Sequence, residues 1–149
     1  MKALLQRVTE ASVSVAGELV GRINRGLVVF VGVAGSDTEK DTQYLAQKTV
    51  NLRIFADDRG KFNLSALDTG AELLVVSQFT LLADTRKGRR PSFIEAAPPA
   101  QAEELFELYT AALRATKLKV ETGRFQQYMQ VEIHNDGPVT VLLNSQDKL

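Results

Sequence analysis

The chain has no cysteine, no tryptophan and only one histidine among its 149 residues. The missing cysteines exclude disulfides, thiolate nucleophiles, zinc ribbons and iron–sulfur clusters. With His134 alone, neither a histidine-rich metal site nor a histidine pair can form, so no metal and no cofactor is expected. Charge of one sign is also missing: 18 Lys and Arg face 18 Asp and Glu, giving a formal net charge of zero. That rules out histone-like or tail-driven nucleic-acid binding, but leaves room for a local basic patch on a neutral body. No run of 18 apolar residues exists, and the opening Met1-Lys2-Ala3-Leu4-Leu5-Gln6-Arg7 is too short in apolar residues for a signal peptide. The expectation is a cytoplasmic protein with no membrane contact. Its chemistry must use hydroxyls, carboxylates, amines, backbone groups or the substrate itself.

What is present suits a packed core. Hydrophobic residues make up 44% and charged residues 24%, a balance that favours folding over disorder. A chain of 149 residues predicts a single compact domain over residues 1–149, large enough to need no staple. Residues 2 to 15 read as a strand, Ala16-Gly17-Glu18 as a hairpin, and Leu19 to Ile23 as the return strand. The continuous apolar run Leu27 to Val33 suits a strand buried on both faces. Ser36-Asp37-Thr38-Glu39 reads as a capping box opening a helix from Asp37 to Asn51, with Leu45, Thr49 and Leu52 on one side. Asp57-Asp58-Arg59-Gly60 is a turn, and Ala71 to Ser77 is a second apolar strand. Pro98-Pro99 opens the second main helix, where Ala102, Leu105, Phe106, Tyr109, Ala112 and Leu113 recur at helical spacing. Tyr128 to His134 and Val139 to Leu143 are the last strands. Hairpins outnumber strand–helix–strand crossovers, which predicts an α+β fold with a curved, mostly antiparallel sheet and two main helices.

Four features carry potential chemistry. Ser77-Gln78-Phe79-Thr80 follows an apolar strand, where a rigid element can aim polar groups at a ligand. Simple strand continuation with local hydrogen bonds is the plain alternative. In Arg86-Lys87-Gly88-Arg89-Arg90, four of five residues are cationic. They suit a phosphate backbone, or equally a solvated loop balanced by Glu103, Glu104 and Glu107. Asn135-Asp136-Gly137-Pro138 reads locally as a hairpin turn, although proline removes a donor where a hairpin needs one. His134, in an alternating strand, is expected to face solvent, which leaves a Ser-His-Asp triad without its base.

Together these segments resemble the D-aminoacyl-tRNA deacylase family, first described as D-tyrosyl-tRNA deacylases. The resemblance spans the whole chain. It rests on Gln6-Arg7-Val8 with Ala11-Ser12-Val13, Gly26 to Val33, Asn51-Leu52-Arg53, and Ser77-Gln78-Phe79-Thr80-Leu81. It continues through Lys87-Gly88 with Arg90-Pro91-Ser92-Phe93, and ends on Asn135-Asp136-Gly137-Pro138-Val139-Thr140. There are two departures: many relatives have a small pair such as Gly-Ala where this chain has Gln126-Gln127, and Met or a smaller residue at Phe62. Both bear on the pocket for the terminal adenosine.

The resemblance implies hydrolysis of the ester joining a D-amino acid to the 3′-terminal ribose of tRNA, within a layered β/β/α homodimer. It implies that a cis Gly137-Pro138 of one copy faces Ser77, Gln78, Phe79 and Thr80 of the other and excludes L-amino acids. The Phe79 backbone amide would then help hold the oxyanion, and Thr80 would act as nucleophile or orient water. Arg86, Lys87, Arg89 and Arg90 would hold tRNA phosphates, and no DNA partner is expected. A purely steric barrier cannot reject glycine, so glycyl-tRNA is an expected side substrate. The rival readings are a non-catalytic binder of the tRNA acceptor end, a deacylase of L-alanyl mischarged tRNA, and a serine esterase using His134.

Overall fold

The computed structural model describes residues 1–147. Its organising element is β1 (Lys2–Val15), which pairs with three other strands. β2 (Glu18–Ile23) pairs with its second half and β3 (Gly26–Gly32) with its first, both antiparallel. After α1 (Glu39–Asn51) comes a small hairpin of β4 (Phe55–Ala56) and β5 (Phe62–Leu64), then the single-turn α2 (Ala66–Thr69). β6 (Glu72–Ser77) returns parallel to β3, and β7 (Val120–Thr122) joins parallel to β6 after α3 (Pro99–Arg114). β8 (Gln130–Asn144) runs antiparallel along almost all of β1. The strand order is β2-β1-β3-β6-β7, with β8 on β1.

The sheet is buried on both faces because its central strands are apolar at nearly every position. Leu27, Val29, Val31, Leu73 and Val75 face α1 and α3, while Val28, Leu74 and Val76 face the second layer formed by β1, β2 and β8. Each such side chain contributes about 1.5–3 kcal/mol on leaving water. The sheet folds back on itself toward a barrel: a Cβ on Gly21 of β2 would lie 3.1 Å from the Thr122 carbonyl oxygen and 3.4 Å from Leu74 Cδ1. On the helical side, the fully buried Tyr109 hydroxyl lies 2.7 Å from Thr49 Oγ1, which donates to the Leu45 carbonyl. Burial pushes the Tyr109 phenol well above its ordinary pKa, and the Thr49 hydrogen bond only partly opposes that. The Met1 ammonium is buried too, donating to Asp37 and to Ser145 Oγ at 2.8 Å.

The α+β class holds, with four corrections. First, the sheet is mostly antiparallel as expected, through the three pairings of β1, but β3, β6 and β7 are mutually parallel; α1 and α3 lie in the two crossovers that parallel pairing requires. Second, β7, the β4–β5 hairpin and α2 have too few residues to leave a periodic signal.

Third, α1 starts two residues later than its sequence suggests. Asp37 is held by the Met1 ammonium and the Ala34 amide, so the capping pair is Thr38 with Asp41 instead of Ser36 with Glu39. Fourth, the chain does not turn at Asn135-Asp136-Gly137-Pro138. β8 is continuous, and its register jumps from Val8↔Asn135 to Gln6↔Thr140, so residues 136–139 bulge from the sheet opposite Arg7 alone. The Asn135 side-chain amide bridges the jump, donating to the carbonyls of Arg7 at 2.9 Å and Val139 at 3.1 Å.

Candidate active site

A cleft of about 930 Å³ opens where β6 ends. Its floor is apolar: Val33, Val76, Val131, Ala97 and Ala102. Ser77, Gln78, Phe79 and Thr80 form one wall, and Phe93 and the segment Phe125 to Met129 also line the cleft. No charged side chain among the described residues lines it. The structure therefore brings the four Ser-Gln-Phe-Thr residues together in one cavity.

Local geometry sets that wall. Val31↔Ser77 is the last parallel pair, and the Gln78 amide still donates to the Val31 carbonyl at 2.7 Å. The chain then tightens into a 3-10 turn, Phe79–Leu82. Among the described residues, no backbone acceptor takes the Phe79 or Thr80 amide, as expected for the first donors of a helical turn. The turn fits because residue 32 is glycine: a Cβ there would lie 2.5 Å from Leu82 Cδ2 and 3.0 Å from the Gln78 carbonyl oxygen. The Gln78 side-chain amide donates to Thr80 Oγ1. That leaves the threonine hydroxyl its own proton to donate. Phe79, exposed at the rim, meets Phe93 edge to face at 5.0 Å.

Gly137 and Pro138 are exposed, are joined by a cis peptide bond and do not line the cleft of their own chain. Gly137 has φ 122°, and a Cβ there would lie 2.9 Å from Val139 Cγ2 and 3.2 Å from Arg7 Nη2. Arg7 backs the bulge. Its Nη1 donates to the Ile54 carbonyl at 2.8 Å, and its Nε sits 3.1 Å from Asp136 Oδ2 without hydrogen-bond alignment. Sequence reasoning alone gives Arg7 no role of its own. The available signal is phase: Arg7 continues the inward series Ala3, Leu5, where an apolar residue is expected. Phe62 lies against the Arg7 guanidinium at 5.5 Å and is not part of the cleft, whereas Gln126 and Gln127 do line it.

The basic residues occupy an exposed loop beside the cleft, pinched at its neck by paired backbone bonds between Asp84 and Ser92. They are not equivalent. Arg86 is clamped by Asp84, with Nη2–Oδ2 2.7 Å and Nε–Oδ1 2.9 Å. The Arg86 side chain, helped by its backbone amide, holds the Asp84 carboxyl below the usual range. Lys87, Arg89 and Arg90 have no anionic partner among the described residues. His134 is half exposed on the outer sheet face, 3.5 Å from Glu10 Oε1, outside the cleft.

Residues 4–144 match the D-Tyr-tRNA(Tyr) deacylase family model. The chain is 58% identical over its full length to a D-aminoacyl-tRNA deacylase of Dehalococcoides mccartyi, covering 97% of that protein. It is 57% identical over 145 residues to one from Halothermothrix orenii, with 97% of each chain covered. A solved structure named c-Myc DNA Unwinding Element Binding Protein is 44% identical, with 97% of this chain and 98% of that one covered at a TM-score of 0.91. A probable eukaryotic D-amino acid tRNA deacylase shares the fold at 15% identity, over 95% of this chain and 97% of its own, with a TM-score of 0.86. An uncharged cleft walled by Ser77 to Thr80, in a chain matched almost end to end, places this protein in the D-Tyr-tRNA(Tyr) deacylase family.

Proposed function

We propose that the protein hydrolyses the ester between a D-amino acid and the 3′-terminal ribose of tRNA, releasing both. The observation that carries this is a cleft with, among the described residues, two backbone amides that no backbone acceptor takes and no charged side chain. An aminoacyl ester is already activated, so positioned water and an amide at the developing oxyanion suffice; one such donor is typically worth about 3–4 kcal/mol. The Phe79 amide is that donor. Thr80, held by Gln78, orients the water or the ribose 2′-hydroxyl, and Ser77 completes the wall.

An α-ammonium needs acceptors, and among the described residues the cleft of one chain offers it no carboxylate. The exposed Gly137-Pro138 bulge lies outside its own cleft, which suits insertion into the cleft of a second copy, with the pair working as a homodimer. Its carbonyls would hold the ammonium while rigid backbone fills the space an L side chain needs. Glycine, lacking a side chain, passes such a barrier. Lys87, Arg89 and Arg90 would grip acceptor-end phosphates, which carry no sequence information and suit an enzyme serving many tRNAs in the cytoplasm.

The test is to compare D-tyrosyl-, L-tyrosyl- and glycyl-tRNA side by side. Release from the first and third with the second intact is expected, and equal turnover of both tyrosyl enantiomers overturns the reading. Single-turnover assay of Thr80→Ala decides that residue: a near-wild-type rate removes its hydroxyl from the chemistry. A second reading, nucleic-acid binding without hydrolysis, draws on the name of the 44% identical neighbour. It predicts retention of an acceptor-stem RNA or of single-stranded DNA with no D-amino acid released.

A further inference from the structure

One side chain gathers both ends of the β8 bulge. Asn135 precedes the bulge and Val139 ends it, with residues 136–139 standing opposite Arg7 alone. The Asn135 amide nitrogen has two protons, and both are used. One goes to the Arg7 carbonyl of β1 at 2.9 Å, the other to the Val139 carbonyl at 3.1 Å. The near end of the bulge, its far end and the facing strand therefore meet at a single nitrogen. The amide oxygen is engaged as well. Gln6 Nε2 donates to Thr140 Oγ1 at 3.3 Å, which leaves the threonine proton to go to Asn135 Oδ1 at 3.4 Å. That chain of donors, Gln6 to Thr140 to Asn135, sets which end of the amide faces the two carbonyls.

Only an amide satisfies this arrangement. A carboxylate of the same shape would aim lone pairs at two carbonyl oxygens, and an apolar side chain would take the donor away from both. Val139 is buried in the core and fixes the depth of the bulge. Gly137 and Pro138 are exposed, so their direction depends on what holds the base. We infer that Asn135 is a positioning residue for stereochemical selection. It touches no substrate; it aims the Gly137-Pro138 backbone, while Thr140 and Gln6 keep its amide the right way round. This rests on the deacylase reading with its paired copies, and deepens it by assigning the enantiomer preference to a polar network behind the barrier. The bulge backbone serves there both as ammonium acceptor and as obstacle. A shift approaching 1 Å forfeits the acceptors and at the same time opens the space that an L side chain needs. Loosening Asn135 therefore acts with opposite sign on the two enantiomers, which a general loss of stability does not do.

The experiment measures kcat and KM of the full chain for D-tyrosyl-, glycyl- and L-tyrosyl-tRNA, with Tm recorded for each variant. Asn135→Asp should raise KM for the D-tyrosyl and glycyl esters about ten-fold. It should leave their kcat within about three-fold, because the Phe79 amide and Thr80 stand on a different element. L-tyrosyl-tRNA should become a substrate, lowering the D-to-L ratio of kcat/KM about 100-fold. Thr140→Val removes the orienting hydroxyl and keeps the shape of the side chain; it should move the ratio the same way by about three-fold. Thr140→Ser keeps the hydroxyl and should retain the wild-type ratio. An unchanged ratio in Asn135→Asp, or in Thr140→Val should the first variant not fold, overturns the assignment and leaves the deacylase reading intact. A parallel loss on all three substrates that tracks Tm does the same. A wild-type enzyme that releases no D-tyrosine, or that turns over both enantiomers equally, overturns both.

Discussion

The cleft and the basic loop are neighbours made of opposite materials. Among the described residues the cleft has no charged lining, and it is built on β6, which is buried on both faces. The loop from Thr85 to Pro91 is exposed throughout, mostly cationic, and fixed only at its Asp84–Ser92 neck. The first can discriminate by shape because little in it can move. The second can attract over distance because its charges stay in water, where salt screens them. Recognition and attraction are therefore separable, and substitutions should act on one without the other.

The sharpest way to break that separation is at Gly32. Gly32→Ala pushes on Leu82 and the Gln78 carbonyl, shifting the Ser77–Thr80 wall without touching the loop. A displacement approaching 1 Å is expected to lower kcat/KM about 100-fold. The salt dependence of tRNA binding should be unchanged, which steady-state kinetics and filter binding at several salt concentrations will check. Next in size is the triple change of Lys87, Arg89 and Arg90 to alanine. Affinity for tRNA should fall about ten-fold or more at low salt, and the log–log salt slope should become shallower by roughly 2–3, at about 0.9 for each duplex phosphate no longer neutralised. Turnover of D-aminoacyl-adenosine should be untouched.

Arg86→Ala should do much less to the slope than any of the three free cations, because Asp84 already neutralises it. A slope change equal to that of Arg89→Ala would show that the Asp84 clamp opens on binding. The smallest effect is on acidification. Because Arg86 depresses the folded-state pKa of Asp84, the contribution of the pair is complete above the ordinary carboxylate value of about 3.8 and is lost as pH falls through the depressed one. An NMR titration of Asp84 should find its midpoint below that of an exposed aspartate, and Arg86→Ala should bring it back up.

Much of this was legible in the sequence, for identifiable reasons. Leu27 to Val33 announces a strand buried on both faces, and the Leu105, Phe106, Tyr109, Leu113 spacing marks the inward side of α3, because burial imposes periodicity on residue type. The clustering of Ser77 to Thr80 at a strand end was legible for the same reason. What was hidden depends on partners distant in the chain. Nothing local announces that Asp37 belongs to the Met1 ammonium and so cannot serve the helix start. Asn135-Asp136-Gly137 looks like a reversal until β1 is seen to pair on both sides of it. Arg86 reads as one more cation until Asp84, two residues back, is found holding it. The backbone of Gln126 could not be read at all, since its residue type argues against the conformation it adopts.

The bulge on β8 has one more consequence. Its two flanks are laced to the same neighbouring strand, through Asn135 on one side and Thr140 on the other, so it projects like a tooth from a comb and has no hinge to swing on. Whatever meets that tooth must be delivered to it and must fit on arrival.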